Sequence, residues 1–235
     1  MTYIGSARID ERGKVSGGKA GDQTQREVSE QRFYVHSLGW SILRPKSGNF
    51  ANKIGAKMIE ACNNDKIGYN QFNRLGVVKN GISTKIAPDC DCSSLVRQCV
   101  REVTGVDAGN FSTASEVKLL MNTGLFTQIE FVSEKVTPLY VGDILVTKKK
   151  GHTAIVTRGT KRETVRYFSA YKGSATGLDT ILSSIGANIY YDSKYTDYHK
   201  RSKIAEANGI KNYKGTEEQN IKLKQLARSG KLVKP

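Results

Sequence analysis

Proline and long apolar runs are both scarce in this chain, which has only 4 prolines in 235 residues. With 38% hydrophobic and 25% charged residues, the composition is that of an ordinary globular protein and excludes a low-complexity or disordered chain. No stretch approaches the roughly eighteen consecutive apolar residues of a membrane-spanning helix, so no membrane span is expected. The length suits one main domain and a small second module.

The N-terminal stretch MTYIGSARIDERGK carries charges throughout and has no continuous apolar core. This pattern is not that of a secretory signal. We therefore expect synthesis in the cytoplasm, so that any action outside the cell depends on release by another agent.

Acidic residues are few, with 22 Asp or Glu against 37 Lys or Arg, which gives a net charge of +15. This excess predicts attraction to a polyanion, namely nucleic acid, an anionic membrane surface or the phosphate-bearing polymers of a bacterial wall. Between residues 193 and 235 there are 11 basic and 4 acidic residues, so 11 − 4 = +7 of the charge lies there. Aromatic residues do not interleave with the basic ones and no zinc-finger spacing occurs, so no nucleic-acid partner is expected.

Cysteine is also scarce, and its 4 copies do not form a disulfide or zinc pattern. A bridge between Cys90 and Cys92 would close a very tight ring, and Cys62 and Cys99 fall on apolar faces of predicted helices. Cys92 and Cys99 would lie roughly 10 Å apart on one helix, too far to share a zinc ion. We expect no metal and no cofactor, and we expect one cysteine to differ chemically from the others.

Apolar spacing over residues 1–172 predicts strands and helices in one main domain. The predicted strands are rich in β-branched and aromatic residues, and they are YIGSARI, QRFYVHSL, WSILRP, GDILVT, HTAIVTR and TVRYFSA. The predicted helices have apolar residues at helical spacing, and they are NFANKIGAKMIEAC, the run from Cys92 to Gly105, and STASEVKLLMNTG, which is capped near Ser112 or Thr113. Residues 63–90 show neither period and are predicted to form a long loop. Helices followed by strands are typical of an α+β fold.

Residues 173–235 are predicted to form a small basic helical module. Apolar residues from Leu178 to Ile185 indicate one helix, and RSKIAEANG indicates a second. A third helix is predicted in TEEQNIKLKQLARSG, where Thr216 and Gln219 have the spacing of a capping box. The alternative is that this part is a solvated extension of the main domain.

Cys92 occupies the predicted start of a helix, with Asp91 as its N-cap. Unpaired backbone N–H groups and the positive end of the helix dipole favour a thiolate there, below the usual thiol pKa of about 8.5. Cys90 precedes the helix, and Cys99 faces the packed stripe, where burial favours the neutral thiol. We predict that Cys92 is the nucleophile of a thiol hydrolase; the alternative is a small residue that fits a helix start.

Only 3 histidines are available as a general base for such a nucleophile. His199 lies in the basic tail, and His36 lies in a predicted aromatic strand, where a structural histidine is more common. His152 follows the TKKKG turn and opens the strand HTAIVT, so its side chain can face a neighbouring helix end. We predict that His152 is the base.

The motifs DCSSLV, GDILVT and GHTAIV occur in that order and resemble the NlpC-type peptidoglycan hydrolases. These are papain-like cysteine peptidases that cut the stem peptides of bacterial cell walls. Four features of the family pattern are matched. They are a loop tyrosine (Tyr69), the Asp-Cys-Ser motif (Asp91, Cys92 and Ser93), a Gly-Asp pair (Gly142 and Asp143) and a histidine (His152). The resemblance spans residues 69 to 157 and implies a papain-like core, in which the helix that bears the cysteine packs on an antiparallel sheet.

The resemblance implies a role for each matched residue. Cys92 attacks an amide carbonyl, while His152 takes the thiol proton and later returns it to the leaving amine. Tyr69 and the N–H groups at the helix start stabilise the oxyanion. Asp91 and Ser93 help to hold the amino end of the substrate.

The third catalytic residue departs from the family pattern, in which a polar residue on the strand after the base orients it. The following strand offers three candidates but no histidine, and they are Glu163, Tyr167 and Ser169. The glycine-rich loop GGKAGDQT offers Asp22 or Gln23 instead. An exposed hairpin without a role at the site is an equally good interpretation of that loop.

Two outer blocks extend the resemblance. ARIDERGKVSGGKAGDQTQREV is similar to an N-terminal block of the phage and clostridial branch of the family, and IAEANGIKNYKGTEEQNIKLKQLARSGKLVKP resembles a C-terminal segment of lysins that act on Gram-positive walls. Together they imply a phage endolysin or tail-associated lysin that acts on the wall after host lysis or from the virion. Its implied partners are peptidoglycan and, through the basic tail, anionic wall polymers. An endopeptidase, an N-acetylmuramoyl-L-alanine amidase and a non-catalytic wall or virion protein all remain open, as does the oligomeric state.

Overall fold

The computed structural model describes residues 1–9, 27–187 and 197–234, and it divides the chain into two compact units, Met1–Thr164 and Val165–Pro235. The division falls slightly earlier in the chain than the predicted boundary after residue 172, because Phe168 is buried in the core of the second unit. No helix in the described ranges is long and apolar enough to cross a membrane.

The first unit is built on a sheet of six strands in the order β2-β1-β8-β7-β3-β6, and every neighbouring pair is antiparallel. The bounds of its strands are β1 Tyr3–Ala7, β2 Val28–Arg32, β3 Trp40–Pro45, β6 Phe126–Glu130, β7 Ile144–Thr147 and β8 Thr153–Arg158. Two further strands, β4 Gly68–Tyr69 and β5 Asp89–Cys90, form a small parallel sheet. The predicted α+β class is confirmed as a mixed fold with an antiparallel sheet.

The described part of the first unit contains four helices, and their bounds are α1 Gly48–Cys62, α2 Gly76–Asn80, α3 Cys92–Thr104 and α4 Glu116–Asn122. The N-cap of α1 is Ser47, whose hydroxyl accepts a hydrogen bond from the Phe50 amide at 3.3 Å. The α3 helix ends at Gly105, which adopts the left-handed conformation with φ 74°. The predicted bounds of these two long helices are confirmed.

Apolar side chains bury both faces of the sheet. On one face Leu43 and Ile155 join a cluster with the inward stripes of α1 and α3, which include Met58 and Leu95. On the other face a second cluster surrounds Trp40, whose side chain is fully buried. Burial of each large apolar side chain contributes about 2 kcal/mol, so the sheet is a rigid platform for residues at its strand ends.

Gly142 and Asp143, the predicted Gly-Asp pair, form the turn that leads into β7. Gly142 has a φ of 87°, and a Cβ atom there would lie 2.0 Å from the carbonyl oxygen of Ala51, so only glycine fits. The buried Asp143 carboxylate accepts hydrogen bonds from Arg44 Nε at 2.9 Å and from Arg44 Nη2 at 2.8 Å. The pair therefore joins the turn before β7 to α1, through the close approach of Gly142, and to β3, through Arg44.

Several predicted elements differ in the structure. The strand predicted in QRFYVHSL is shifted, since β2 ends at Arg32, and α4 begins at Glu116, after the predicted cap near Ser112. The strand β6 was missed because it lies at the sheet edge, where its middle residues face solvent and weaken the apolar pattern. The prediction of a strand in TVRYFSA is wrong: it makes one isolated bridge, from Tyr167 to Val233, because no neighbouring strand is available for it.

The described part of the second unit contains three helices, α5 Leu178–Ser184, α6 Asp197–Ala207 and α7 Glu217–Arg228. They enclose their own apolar core, which includes Ile181, Ile204 and Leu223. The predicted capping box of α7 is confirmed, because the Thr216 side chain accepts from the Gln219 amide and the Gln219 side chain accepts from the Thr216 amide. The helical nature of the segment is thus encoded locally.

Candidate active site

Cys92 lies at the first position of α3, as predicted, and Asp91 is the N-cap. The Asp91 carboxylate accepts a hydrogen bond from the Ser94 amide at 2.7 Å, and the Ser94 hydroxyl accepts from the Asp91 amide at 2.9 Å. This capping box holds the helix start rigidly. The Cys92 side chain is 8% exposed, and the backbone amides of Ser93 and Thr153 interact with its sulfur.

The prediction of a lowered pKa for Cys92 is wrong. Burial, and to a lesser extent the negative charges of Asp91 and Glu116, raise its pKa to about 12. The amides of Thr153 and Ser93 oppose this shift but do not cancel it. Desolvation outweighs the helix start, because a thiolate this deeply buried loses the hydration on which its charge depends. Cys92 is therefore a neutral thiol at rest.

His152 lies immediately before β8, beside the strand residue whose amide faces the Cys92 sulfur. Its backbone N–H donates to Thr147 Oγ1 at 2.9 Å, and its ring packs near Trp40 with the ring centroids 6.4 Å apart. Burial, and to a lesser extent the nearby groups His36 and Arg8, lower the pKa of His152 to about 4. The imidazole is therefore neutral near neutral pH, which is the form that can accept a proton.

Ser6 orients the His152 ring, and sequence analysis did not identify it. The Ser6 hydroxyl oxygen lies 3.2 Å from His152 Nε2, and Ser6 is 1% exposed. With the proton on Nε2, that nitrogen donates to Ser6 and leaves Nδ1 as an acceptor. Ser6 lies on β1, 146 residues before His152 in the chain. No local pattern marks it, because only the pairing of β1 with β8 brings the two residues together.

His36, which was set aside as a structural residue, lies close to the site. It follows β2 in a loop, its Nδ1 accepts from the Leu38 amide at 3.0 Å, and its ring meets Trp40 edge-on at a centroid distance of 5.3 Å. Its charge contributes to the low pKa of His152. His36 is thus part of the electrostatic environment of the predicted base.

Tyr69, the predicted oxyanion residue, lies on β4 and is 8% exposed. Its backbone N–H donates to Glu27 Oε2 at 2.6 Å, which anchors this short strand. Burial raises the pKa of the Tyr69 hydroxyl, and the charges of Cys92 and Asp91 raise it further. The structure therefore places Tyr69 close enough to Cys92 for a charge on the sulfur to affect the tyrosine. The Tyr69 hydroxyl keeps its proton and can donate a hydrogen bond.

Arg74 connects Asp91 and Ser93 in a network that sequence analysis missed. Its Nη1 donates to both Asp91 carboxylate oxygens at 3.1 Å and to the Ser93 hydroxyl at 3.1 Å. Its Nη2 donates to the Phe111 carbonyl at 2.8 Å. Asp91 and Ser93 thus hold the helix start together with Arg74, and their predicted contact with the amino end of a substrate stays a prediction.

Glu116, the first residue of α4, is a further group at this site that sequence analysis missed. Its side chain is fully buried, and its Oε1 accepts from Thr153 Oγ1 at 2.8 Å. Its Oε2 has no hydrogen-bond partner among the residues that the structure describes. Burial, with a smaller contribution from the charge of Asp91, raises the pKa of Glu116 to about 8, although the hydrogen bond from Thr153 opposes this shift. Thr153 therefore connects this carboxyl group to Cys92, through its hydroxyl on one side and its amide on the other.

Replacing Glu116 with glutamine is expected to speed alkylation of Cys92 by iodoacetamide about tenfold at alkaline pH and to leave it unchanged near neutrality. Below about pH 8 the Glu116 carboxyl is protonated and exerts no charge; above it, the carboxylate raises the pKa of Cys92. Glutamine is uncharged at every pH, so the substitution changes the alkylation rate only at alkaline pH. Mass spectrometry of the Cys92 peptide after timed alkylation measures the rate.

The matched control is Glu130→Gln, which removes an exposed carboxylate that pairs with Lys148. This control should leave the alkylation of Cys92 unchanged at both pH values. An increase of equal size in both variants, or an increase in Glu116→Gln that is already complete at neutral pH, would contradict a direct effect of the Glu116 charge.

The identity of the predicted orienting residue stays open. Asp22 and Gln23 lie outside the described residues. Tyr167 and Ser169 belong to the second unit, and the Glu163 backbone carbonyl lies against Gly48 at the start of α1. Among the described residues of the first unit, Ser6 lies beside the His152 ring, with its hydroxyl oxygen 3.2 Å from Nε2.

The four cysteines all have free thiols. Within residues 1–9, 27–187 and 197–234, no group of three or more His, Cys, Asp or Glu side chains is arranged to hold a metal ion. Cys90 and Cys99 are fully buried, and burial raises the pKa of each thiol well above its usual value. Cys92 differs from them in lying at a helix start beside a histidine-bearing strand end.

The fold is a mixed α+β domain whose candidate site combines a helix-start cysteine, a strand-end histidine and a buried carboxyl group. The chain belongs to the endolysin-like domain family, whose model matches residues 4–163. This range lies within the first structural unit, Met1–Thr164. Membership supports a hydrolase of the cell wall of the endolysin type. No curated protein and no solved structure matches the chain.

Proposed function

We propose that the first unit is an NlpC-type, papain-like cysteine hydrolase that cleaves an amide bond in the peptides of bacterial peptidoglycan. The observation that carries the proposal is the position of Cys92, at the first residue of α3 and in contact with the amide that follows His152. Membership of the endolysin-like domain family supports the cell wall as the substrate.

In the proposed reaction His152 acts as the base through Nδ1, because Nε2 is directed to Ser6. As the Cys92 sulfur attacks the carbonyl carbon, its proton passes to His152 Nδ1 and a carbon–sulfur bond forms. Cys92 and His152 are both neutral at rest, so the proton moves when the substrate arrives and no ion pair exists beforehand. The amides of Ser93 and Thr153 stabilise the developing charge on sulfur.

The tetrahedral intermediate carries its negative charge on the former carbonyl oxygen. The Tyr69 hydroxyl and the N–H groups at the start of α3 are the proposed donors to this oxyanion. His152 then gives its proton to the nitrogen of the leaving amine, the carbon–nitrogen bond breaks, and a thioester remains on Cys92. Water, deprotonated by the same imidazole, hydrolyses the thioester and restores both residues.

The second unit is proposed to bind anionic wall polymers, and Asp91 and Ser93 are proposed to hold the amino end of the substrate. The charge of the tail supports the first assignment, since residues 193–235 carry a net 11 − 4 = +7. The proposed source is a phage lysin, free or tail-associated, that acts on Gram-positive walls. The same site chemistry serves an endopeptidase and an N-acetylmuramoyl-L-alanine amidase.

Digestion of purified Gram-positive walls by the full chain, followed by mass spectrometry of the released fragments, tests the proposal. We expect each cut to leave one new amine on one product and one new carboxyl group on the other, and the residues at those two termini identify the bond. Intact sugar chains with cut peptides indicate an endopeptidase, and separated sugars and peptides indicate an amidase. If no amide bond is cut, the proposal is wrong.

A second candidate function is a non-catalytic wall or virion protein that retains the hydrolase fold. The observation in its favour is the raised pKa of Cys92, which keeps the thiol neutral. Such a protein would sediment with walls without releasing fragments, so the same digestion separates the two functions.

A further inference from the structure

A cavity of about 510 Å³ lies beside the candidate site, between the start of α4 and the turn that joins β7 to β8. We call it the lysine cavity, and its lining residues are Ser41, Thr113, Ala114, Val117, Gln128, Glu130, Thr147, Lys148, Lys149 and Lys150. Its volume is in the range of pockets that hold small molecules or short peptide segments. None of its residues takes part in the proposed reaction steps.

The lysine cavity carries an excess of positive charge. Glu130 is the only acidic residue in its lining, and its carboxylate pairs with Lys148 at 2.5 Å. Lys149 and Lys150 are exposed and form no ion pair with any residue that the structure describes. Two ammonium groups are therefore left to meet an anionic ligand, and Gln128 and Thr113 add polar groups to the wall.

The turn that carries the lysines is connected directly to the predicted base. The Thr147 hydroxyl accepts from the backbone N–H of His152 at 2.9 Å and donates to the Lys149 carbonyl at 2.7 Å. At the other wall, the Thr113 hydroxyl accepts from the Gly151 amide at 3.1 Å, which joins the turn to the segment before α4. A ligand in the lysine cavity thus lies within one short turn of His152.

The start of α4 connects one wall of the lysine cavity to the Cys92 site through Glu116. The α4 residue Val117 lines the lysine cavity, while its neighbour Glu116 points to the other side and accepts from Thr153. The lysine cavity and the Cys92 site therefore lie on two different sides of the start of α4. A peptide that passes over this point can place an amide bond at Cys92 and a nearby side group among the lysines.

Resting on the proposed function, we propose that the lysine cavity binds a free carboxylate group of the substrate peptide, next to the bond that is cleaved. The ligand class follows from the two unpaired ammonium groups. They form stronger hydrogen bonds with a negatively charged carboxylate than with an uncharged amide. The cavity would thus distinguish wall peptides with free carboxylates from peptides whose carboxylates are amidated.

The test uses the full chain with Cys92→Ala, in which binding is measured without cleavage. The probes are a wall peptide fragment with free carboxylates and the same fragment with those carboxylates converted to amides, titrated by calorimetry. We expect the free form to bind about tenfold more tightly, a difference that the double variant Lys149→Gln, Lys150→Gln abolishes. Added salt should reduce the difference as well.

The matched control is Lys66→Gln, Lys85→Gln, which removes the same charge from two exposed lysines outside the cavity lining. This control should retain the tenfold preference for the free form, within about twofold. The proposal is overturned if both double variants bind the two probes alike, or if the parent chain does not prefer the free carboxylates. Because binding is read without turnover, this failure is distinct from failure of the proposed hydrolysis, which appears as an absence of wall fragments from the unmodified protein.

Discussion

Replacing Cys92 with alanine is expected to lower kcat for the release of wall fragments by about 10⁴-fold or more. Alanine cannot form the thioester, and the sulfur at the start of α3 has no substitute among the described residues at this position. The loss should appear in kcat while the binding of walls is retained, because the side chain contributes little to ground-state contacts. The initial rate of soluble amine release from purified walls measures the effect.

Cys62→Ala is the control for this substitution, because Cys62 is a thiol at the last turn of α1 that packs against the same core. It should keep activity within about twofold, apart from a small loss of stability. Thermal unfolding of both variants shows whether the fold is retained. Full wall hydrolysis by a folded Cys92→Ala protein would remove Cys92 from the mechanism.

Replacing His152 with glutamine is expected to lower kcat/KM about 10³-fold. Glutamine retains a polar side chain of similar size that can still reach Ser6, but it cannot accept the thiol proton. The largest consequence should be a change in the pH profile. In the unmodified protein, activity is lost as pH falls through about 4, where His152 becomes protonated, well below the range of a solvent-exposed histidine.

The sign of this pH dependence follows from the cause of the shift. Burial disfavours the imidazolium, so the neutral base persists to lower pH. The acidic limb of the kcat/KM profile therefore shifts to lower pH. His199→Gln, in the second unit, is the control and should leave both the rate and the acidic limb unchanged. An acidic limb near the pKa of an ordinary histidine, or full activity in His152→Gln, would show that another group is the base.

The local features of the site were predictable because their signals are short in sequence. The start of α3 was predicted from Asp91 and Cys92, and its end from Gly105. Apolar spacing predicted α1 and the central strands. The strand β6 was missed and the segment TVRYFSA was predicted wrongly, because strand formation depends on a partner strand, which no local window of sequence contains. In both cases the tertiary pairing overrode the intrinsic preference.

The partners of the nucleophile and the base were not predictable in the same way. Ser6 reaches His152 only because β1 pairs with β8. Arg74 reaches Asp91 only because the segment between β4 and α2 folds onto the start of α3. Glu116 was hidden for another reason: a glutamate at the start of a short helix is usually a solvated dipole partner. Here it is fully buried beside Thr153.

The amino-acid order alone specified which cysteine begins a helix and which histidine opens a strand, because caps and periodicity act over a few neighbouring residues. The folded chain decided the protonation of those two groups. The helix start favours a thiolate at Cys92, but the surrounding core removes water from the sulfur and from the His152 ring, and it places two carboxyl groups near the sulfur. Desolvation is a property of the whole packed environment, so it reverses an inference drawn from the helix start alone.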